Sequence, residues 1–344
     1  MLELLIFDLD GVITSEKKYW NTARLTVWDI FSSNPFFTEV LHSPQLALRH
    51  GQSIISDEFI GHIKKRAVNS NWDLTYFVVA LDLISILDRV PNHHHHLYIR
   101  KDLSALEQLQ LLATQVEKIA ISADPIVEQF WRQTRTMRGS QIAEYLIPFS
   151  ENILGVGIDK ILDLQQLWQE CYSLFQAWYE GRRGFILPDD ETVLPPKIIQ
   201  NILADLSSRY DLAIATGRPR LEVTEPLTKL DLLHYFNPER IVTYDDVLLA
   251  QSQVDQKLGK PHPFILRRAI DPELSLLESI EENPKLDLLE KVAYIGDAGS
   301  DVLAAKRISC LSIGVLTGFC ETAILQELGC DIIVQDISAL PEIL

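Results

Sequence analysis

Two carboxylates, Asp8 and Asp10, close the apolar run LELLIF at residues 2–7, with Gly11 directly after them. A buried carboxylate is costly unless it is paired, hydrogen-bonded or bound to a cation, so acids ending a hydrophobic run suggest a metal or catalytic site. Asp and Gly are also ordinary turn residues that stop a strand, and the pair alone leaves both readings open. The rest of the chain repeats the pattern. The run DLAIAT ends in Thr216-Gly217-Arg218, and the run KVAYIG ends in Asp297, with Asp301 four residues on. Between them lies Lys260, in Gly259-Lys260-Pro261-His262-Pro263.

These residue types fit one chemistry if the fold gathers them. Several carboxylates in a small space repel one another unless a cation intervenes, and an all-oxygen shell with few protein ligands suits Mg²⁺. A hydroxyl with neighbouring backbone N–H groups, as at Thr216 and Gly217, and one mobile ammonium, Lys260, hold a phosphate and offset its charge. The set therefore describes phosphoryl transfer.

The elements that must position them are legible. From about residue 194 onward, short β-rich runs alternate with helical patterns, as in a parallel sheet covered by helices. Strands are predicted over 211–216, 241–244, 291–296, 310–316 and 331–335. Helices are predicted over 195–208, 220–233, 262–270 and 299–307. The first strand, 2–8, has no sheet of its own and must join this set, giving a doubly wound α/β core in which Asp8, Asp10, Thr216 and Asp297 meet at the carboxyl ends of the strands. Residues 1–14 and 188–344 are assigned to that core. Residues 15–187 form an insertion with long helical periodicities at 102–119, 124–137 and 160–180 and little that alternates like a strand. Its joints, after Gly11 and over residues 181–190, lie close in sequence to the candidate site, as in a lid. The acidic, Leu-rich stretch 271–289 reads as a further loop or helical insertion.

Composition narrows the class. At 344 residues the chain can bury a sizeable core. Its formal net charge of −17 argues against nucleic acid as a partner, because phosphate backbones are bound by basic surfaces. No signal peptide is read at the N-terminus, and the most apolar internal stretch, 76–87, carries Asp82 and is too short to span a bilayer; a buried helix is expected there. The four cysteines, Cys171, Cys310, Cys320 and Cys330, show no metal or disulfide spacing and read as reduced thiols in a cytoplasmic protein.

DLDGVIT at residues 8–14, IATGRP around Thr216, GKPHP around Lys260 and GDAGSD at 296–301 resemble, in order, the motifs of the haloacid dehalogenase (HAD) superfamily. The insertion falls where that family carries its C1-type helical cap. The resemblance covers the whole core; the cap is matched by position and helicity. It implies a Rossmann-like HAD core, and a Mg²⁺-dependent phosphatase acting on a small phosphorylated metabolite through an aspartyl-phosphate. On it, Asp8 is the nucleophile and Asp10 the general acid, then base, with a pKa nearer neutrality than that of a free Asp. Mg²⁺ is held by Asp8, Asp297 and the backbone carbonyl of Asp10, with Asp301 a further or outer ligand. Thr216 binds the phosphoryl group with backbone N–H groups near Leu9 and Gly217, and Lys260 neutralises phosphate and nucleophile together. The acid at Asp10 points to phosphate esters rather than to the dehalogenase or phosphonatase branches. The protein is expected to be a monomer or homodimer.

The chief alternative is a sugar phosphomutase resembling β-phosphoglucomutase, which shares the core motifs but needs cap contacts that the sequence does not reveal. A silent regulatory protein is a weaker one, since no catalytic acid and no lysine is missing. Ala298 stands where many members carry Ser, and a supporting hydrogen bond is expected to be lost there. Arg218 is read as a surface residue in preference to a substrate contact. Arg132, Arg135 and Arg138 read as a solvated basic face, Arg182 and Arg183 in the hinge stay ambiguous, and His93–His96 read as a loop tip with adventitious metal affinity.

Overall fold

The structure, a computed structural model, describes residues 2–31, 41–66, 68, 70–89, 102–113, 125–188, 191–281, 291–318 and 320–344. Six strands form one parallel sheet: β1 (Leu4–Phe7), β2 (Asp211–Ala215), β3 (Ile241–Val242), β4 (Val292–Gly296), β5 (Leu311–Val315) and β6 (Ile332–Val334), in the order β3-β2-β1-β4-β5-β6. The central strand is the first in sequence, flanked by strands that arrive more than two hundred residues later. Phe7 pairs with Ile214 on one side and with Ile295 on the other.

Successive residues of β1 serve opposite faces of the sheet, which is why LLIF is apolar throughout instead of alternating. Leu5 and Phe7 pack with Ile199, Leu203 and Leu206 of the helix Pro196–Ser207, whereas Leu4 and Ile6 pack with Phe264, Ile265 and Ala269 of Phe264–Ile270. Both faces are thus covered by helices, the doubly wound α/β arrangement the sequence predicts. Each predicted strand and helix of this part has a counterpart. Among the described residues four further helices, Tyr244–Gln251, Leu276–Ile280, Thr322–Glu327 and Leu340–Ile343, join them. Of the stretch 271–289, Leu276–Ile280 is a helix started by a reciprocal Ser275–Glu278 capping box, and residues 282–290 lie outside the described set.

The chain divides into two compact units, Met1–Glu16 with Asp189–Leu344, and Lys17–Pro188. The second is helical, with no strand among its described residues. Its centre is Asn71–Arg89, buried from Leu74 to Leu87 and so sheathed on every side, with Lys17–Phe31, Ser140–Leu154 and Leu164–Tyr179 packed against it. The apolar stretch 76–87 is thus a buried helix, and no described helix is long and apolar enough to cross a membrane. The periodicity at 102–119 corresponds to Ala105–Ala113, followed by residues outside the described set. That at 124–137 corresponds to Pro125–Gln133, and that at 160–180 to Leu164–Tyr179, which Asp163 caps by accepting from Gln166 N at 3.0 Å. All four cysteines are free. His93–His96 fall outside the described residues.

Candidate active site at the carboxyl edge of the sheet

Strand register brings the candidate residues together. Phe7, Ile214 and Ile295 are level, so Asp8 leaves the central strand beside Thr216 and Asp297, which leave its two neighbours one residue later. This edge is also the switch point, where strand order reverses: β2 and β3 lie on one side of β1, and β4 to β6 on the other; such crevices receive ligands in open α/β sheets.

After Asp8 the chain turns at once. Gly11 N donates to Thr14 O at 2.7 Å and Ile13 N to Leu9 O at 2.9 Å, closing a tight loop around Asp10. Gly11 has φ +72°, a left-handed backbone that glycine adopts without strain, and a Cβ there would meet the Asp297 carboxylate. Ser15 and Val193 then bond to Glu191 and Ile13, so the chain leaves this unit and re-enters it side by side.

Lys260 organises the acids. Its Nζ lies 2.7 Å from Asp8 Oδ2 and 2.8 Å from Asp301 Oδ1, with all three side chains buried. Asp301, in the first turn of Gly299–Arg307, uses its other oxygen to accept from Ala298 N at 3.0 Å. Ala298 has no side-chain oxygen to cap this helix, and the Asp301 carboxylate satisfies the backbone donor of that turn instead. Oxygens of Asp8, Asp297 and Asp301 lie within 4.8 Å of one another. Three buried carboxylates against one ammonium leave excess negative charge. A hard divalent cation fits both the charge and the all-oxygen donor set, and this is the test the site passes for a metal.

The electrostatics follow from that imbalance. Burial, reinforced by the charges of Asp301 and Asp10, pushes the Asp8 carboxyl from its ordinary 3.8 up to about 7, against the pull of Lys260. Burial works against the Lys260 charge, but Asp301 and Asp8 outweigh it and hold the ammonium well above its usual range.

Thr216 is buried, and its Oγ1 accepts from Arg218 N at 3.3 Å, rounding the turn after β2. Gly217 at the tip of that turn is exposed. Arg218 departs from its sequence reading. It is no surface residue: only 2 % of it is exposed, and its guanidinium pairs with Asp10. The sequence offered no sign of this, because the partner lies on a different strand end, 208 positions away. In the helical unit, Arg132, Arg135 and Arg138 are exposed, but the helix ends at Gln133, so they do not share a helical face; Arg138 Nη1 donates to Arg135 O at 2.9 Å. Arg182 pairs with Glu180 at 2.5 Å, and Arg183 with Asp29 at 2.6 Å.

Two contributors escaped sequence reasoning. Tyr294, inside β4, is buried, and its hydroxyl stands 3.2 Å from Lys260 Nζ, 3.1 Å from Asp301 Oδ1 and 3.2 Å from Ala215 O, the residue before Thr216. Burial and then the Asp301 charge keep this phenol protonated, well above its ordinary pKa, so it stays a donor. A tyrosine in a strand buried on both faces was the available signal, since a buried hydroxyl requires a partner. The second is the loop after β5. Thr317 Oγ1 donates to Gly11 O, and a Cβ on Gly318 would lie 2.6 Å from Asp297 Cγ.

A parallel α/β fold with a buried acid cluster at the switch point of its sheet is the class that this geometry defines. The chain belongs to the haloacid dehalogenase-like hydrolases, whose family model matches residues 2–308. Curated relatives include a phosphoglycolate phosphatase from Neisseria meningitidis, 23% identical over 219 residues, 63% of this chain and 80% of the relative. The Neisseria gonorrhoeae protein of the same name is 23% identical over 235 residues, 67% of this chain and 87% of the relative. Among solved structures, a structural-genomics crystal structure covers 100% of this chain and 98% of its own at a TM-score of 0.71 and 24% identity, a likeness of fold alone.

Proposed function

We propose that this protein hydrolyses the phosphate monoester of a small metabolite through a phosphorylated Asp8. The observation that carries the reading is the Lys260 ammonium bridging Asp8 and Asp301 beside Asp297. A nucleophile, a charge-neutralising lysine and a cation-ready acid pair then face one phosphate position.

In the first half-reaction an Asp8 oxygen attacks phosphorus and the bond to the leaving oxygen breaks, while Asp10 supplies the proton that oxygen takes up. In the second, Asp10 accepts a proton from water, whose oxygen attacks phosphorus, and the bond to Asp8 breaks. Covalent catalysis divides one difficult displacement into two easier ones. Thr216 and the backbone N–H groups near Leu9 and Gly217 hold the phosphoryl oxygens, and Lys260 offsets the charge of phosphate and nucleophile. Asp8, Asp297 and the Asp10 carbonyl would hold Mg²⁺, whose charge would keep Asp8 ionised and stabilise the transferring group. Asp301, whose oxygens already serve Lys260, Tyr294 and Ala298, supports this set from outside. The helical unit is inserted in the chain after the Asp10 loop, the position of the family's cap, and a cap there would restrict the site to small substrates.

The relatives named phosphoglycolate phosphatase make phosphoglycolate the first substrate to test. Phosphate release is measured over a panel of phosphorylated metabolites with Mg²⁺ and with chelator, beside Asp8→Asn. Chelator-sensitive release that Asp8→Asn abolishes is expected. Turnover surviving that substitution overturns the nucleophile, and conversion of a hexose 1-phosphate to its 6-phosphate without phosphate release replaces the hydrolase by a mutase.

A further inference from the structure

Asp10 is gripped by an arginine that no phosphate-binding or metal-binding role requires. Arg218 Nε lies 2.9 Å from Asp10 Oδ1 and 3.0 Å from Oδ2, and Nη2 also pairs with Oδ1. The arginine side chain is 1% exposed, against 21% for Asp10, so the guanidinium sits behind the carboxylate and the acid faces outward. At its far end Nη1 donates to Glu222 O, 3.2 Å away in the first turn of Arg220–Lys229. Its backbone is tied at both sides too, N to Thr216 Oγ1 at 3.3 Å and O to Tyr244 N at 2.9 Å. The grip is therefore anchored to the β2 turn and two helices, not to a mobile loop.

Placing a guanidinium in the interior is costly, and it is sustained only by a full set of partners. A small apolar residue would avoid that cost if packing were the only need. What a rigid planar fork adds is orientation: side-on pairing selects one rotamer of a short carboxylate, which a lysine, a compact point charge, does not do. Thr14 Oγ1 contributes a weaker contact to the same oxygen at 3.3 Å. A carboxylate has about four lone-pair positions, so this side-on grip leaves others open toward a substrate.

We infer that Arg218 is a positioning residue that aims the Asp10 carboxylate at the leaving-group oxygen without itself touching substrate. The inference rests on the proposed role of Asp10 as proton donor. It makes the loss on removing Arg218 depend on how much the leaving group needs a proton.

The test compares phenyl phosphate, whose leaving group benefits from protonation, with p-nitrophenyl phosphate, whose leaving group departs readily as an anion. Asp10→Asn sets the reference pattern, a far larger kcat loss on phenyl phosphate. Arg218→Met is expected to lose about tenfold more kcat on phenyl phosphate than on p-nitrophenyl phosphate, with KM nearly unchanged, a part of the roughly 10²–10⁴-fold that general acid catalysis supplies. The double variant is expected to match Asp10→Asn, because the two residues act as one unit. Arg218→Lys keeps the charge but not the fork, and shows the same selectivity to a smaller degree; it serves if the Met variant does not fold. Equal losses on both substrates for the Arg218 variants, with Asp10→Asn still discriminating, overturn the inference alone. Equal losses for Asp10→Asn itself remove the proton role of Asp10, and the inference falls with it.

Discussion

Replacing Lys260 by Met tests the charge balance on which the site reading stands. Methionine has a similar length and no branch, so it fills the space and isolates the charge from a cavity effect. The ammonium it removes lies 2.7 Å from Asp8 and 2.8 Å from Asp301, both buried. At an effective dielectric of about 20, each attraction is worth roughly 6 kcal/mol. Much of that offsets the desolvation of the ammonium itself, and breaking a buried pair by deleting one partner costs about 3–5 kcal/mol. That range is the expected loss of unfolding free energy in chelator near neutral pH, read from urea denaturation. The cause is two carboxylates left together with Asp297, so two treatments should restore stability: acidification, which neutralises carboxylates, and millimolar Mg²⁺. A cation at about 100 times its dissociation constant stabilises by about 2.7 kcal/mol. The reasoning is refuted if Lys260→Met unfolds within about 1 kcal/mol of the parent, a shift typical of an unremarkable substitution. It is refuted equally if the loss is the same at acidic and neutral pH and with and without Mg²⁺.

Gly318→Ala places a Cβ 2.6 Å from Asp297 Cγ on a backbone outside the left-handed region, so its effect comes from displacing that carboxylate. The Mg²⁺ concentration for half-maximal activity should rise by about tenfold or more, as for other disturbed metal surroundings, and an unchanged midpoint would count against Asp297 as a ligand. In the metal-free protein the Asp8 pKa is raised from 3.8 to about 7, so the folded state binds this proton more tightly than the unfolded state does. Its contribution is present in full below 3.8 and is lost as pH rises through about 7, a swing on the order of 4 kcal/mol. Asp8→Asn should flatten that part of the urea stability profile; superimposable profiles for the two proteins would sink the assignment.

The order of motifs, the strand ends and the position of the insertion were all legible in the chain because each is a local property. LLIF, LAIA and VAYIG are apolar without alternation, since their strands are covered on both faces, and each run breaks where the strand meets solvent. An acid at such a break is a local signal too, and so Asp8, Asp297 and Asp301 group with Lys260 on sequence alone. The general rule for open α/β sheets supplied the rest of that grouping.

Pairings between side chains on different elements were decided by the tertiary structure. Arg218 follows a Thr-Gly turn and reads as solvated, because burial of an arginine depends on a partner brought up by another strand; the central placement of β1 puts Asp10 there. Tyr294 looks like one more apolar position in β4 until Lys260, Asp301 and Ala215 are seen around its hydroxyl. Gly318 carries no local mark at all, and the approach of Asp297 alone explains it. The sequence by itself determined which residue types stand at the carboxyl edge of the sheet, since hydrophobic periodicity and its interruption are written along the chain. Which of them touch, and so which charge is neutralised and which acid is aimed, was settled by strand order and helix packing, which bring together residues hundreds of positions apart.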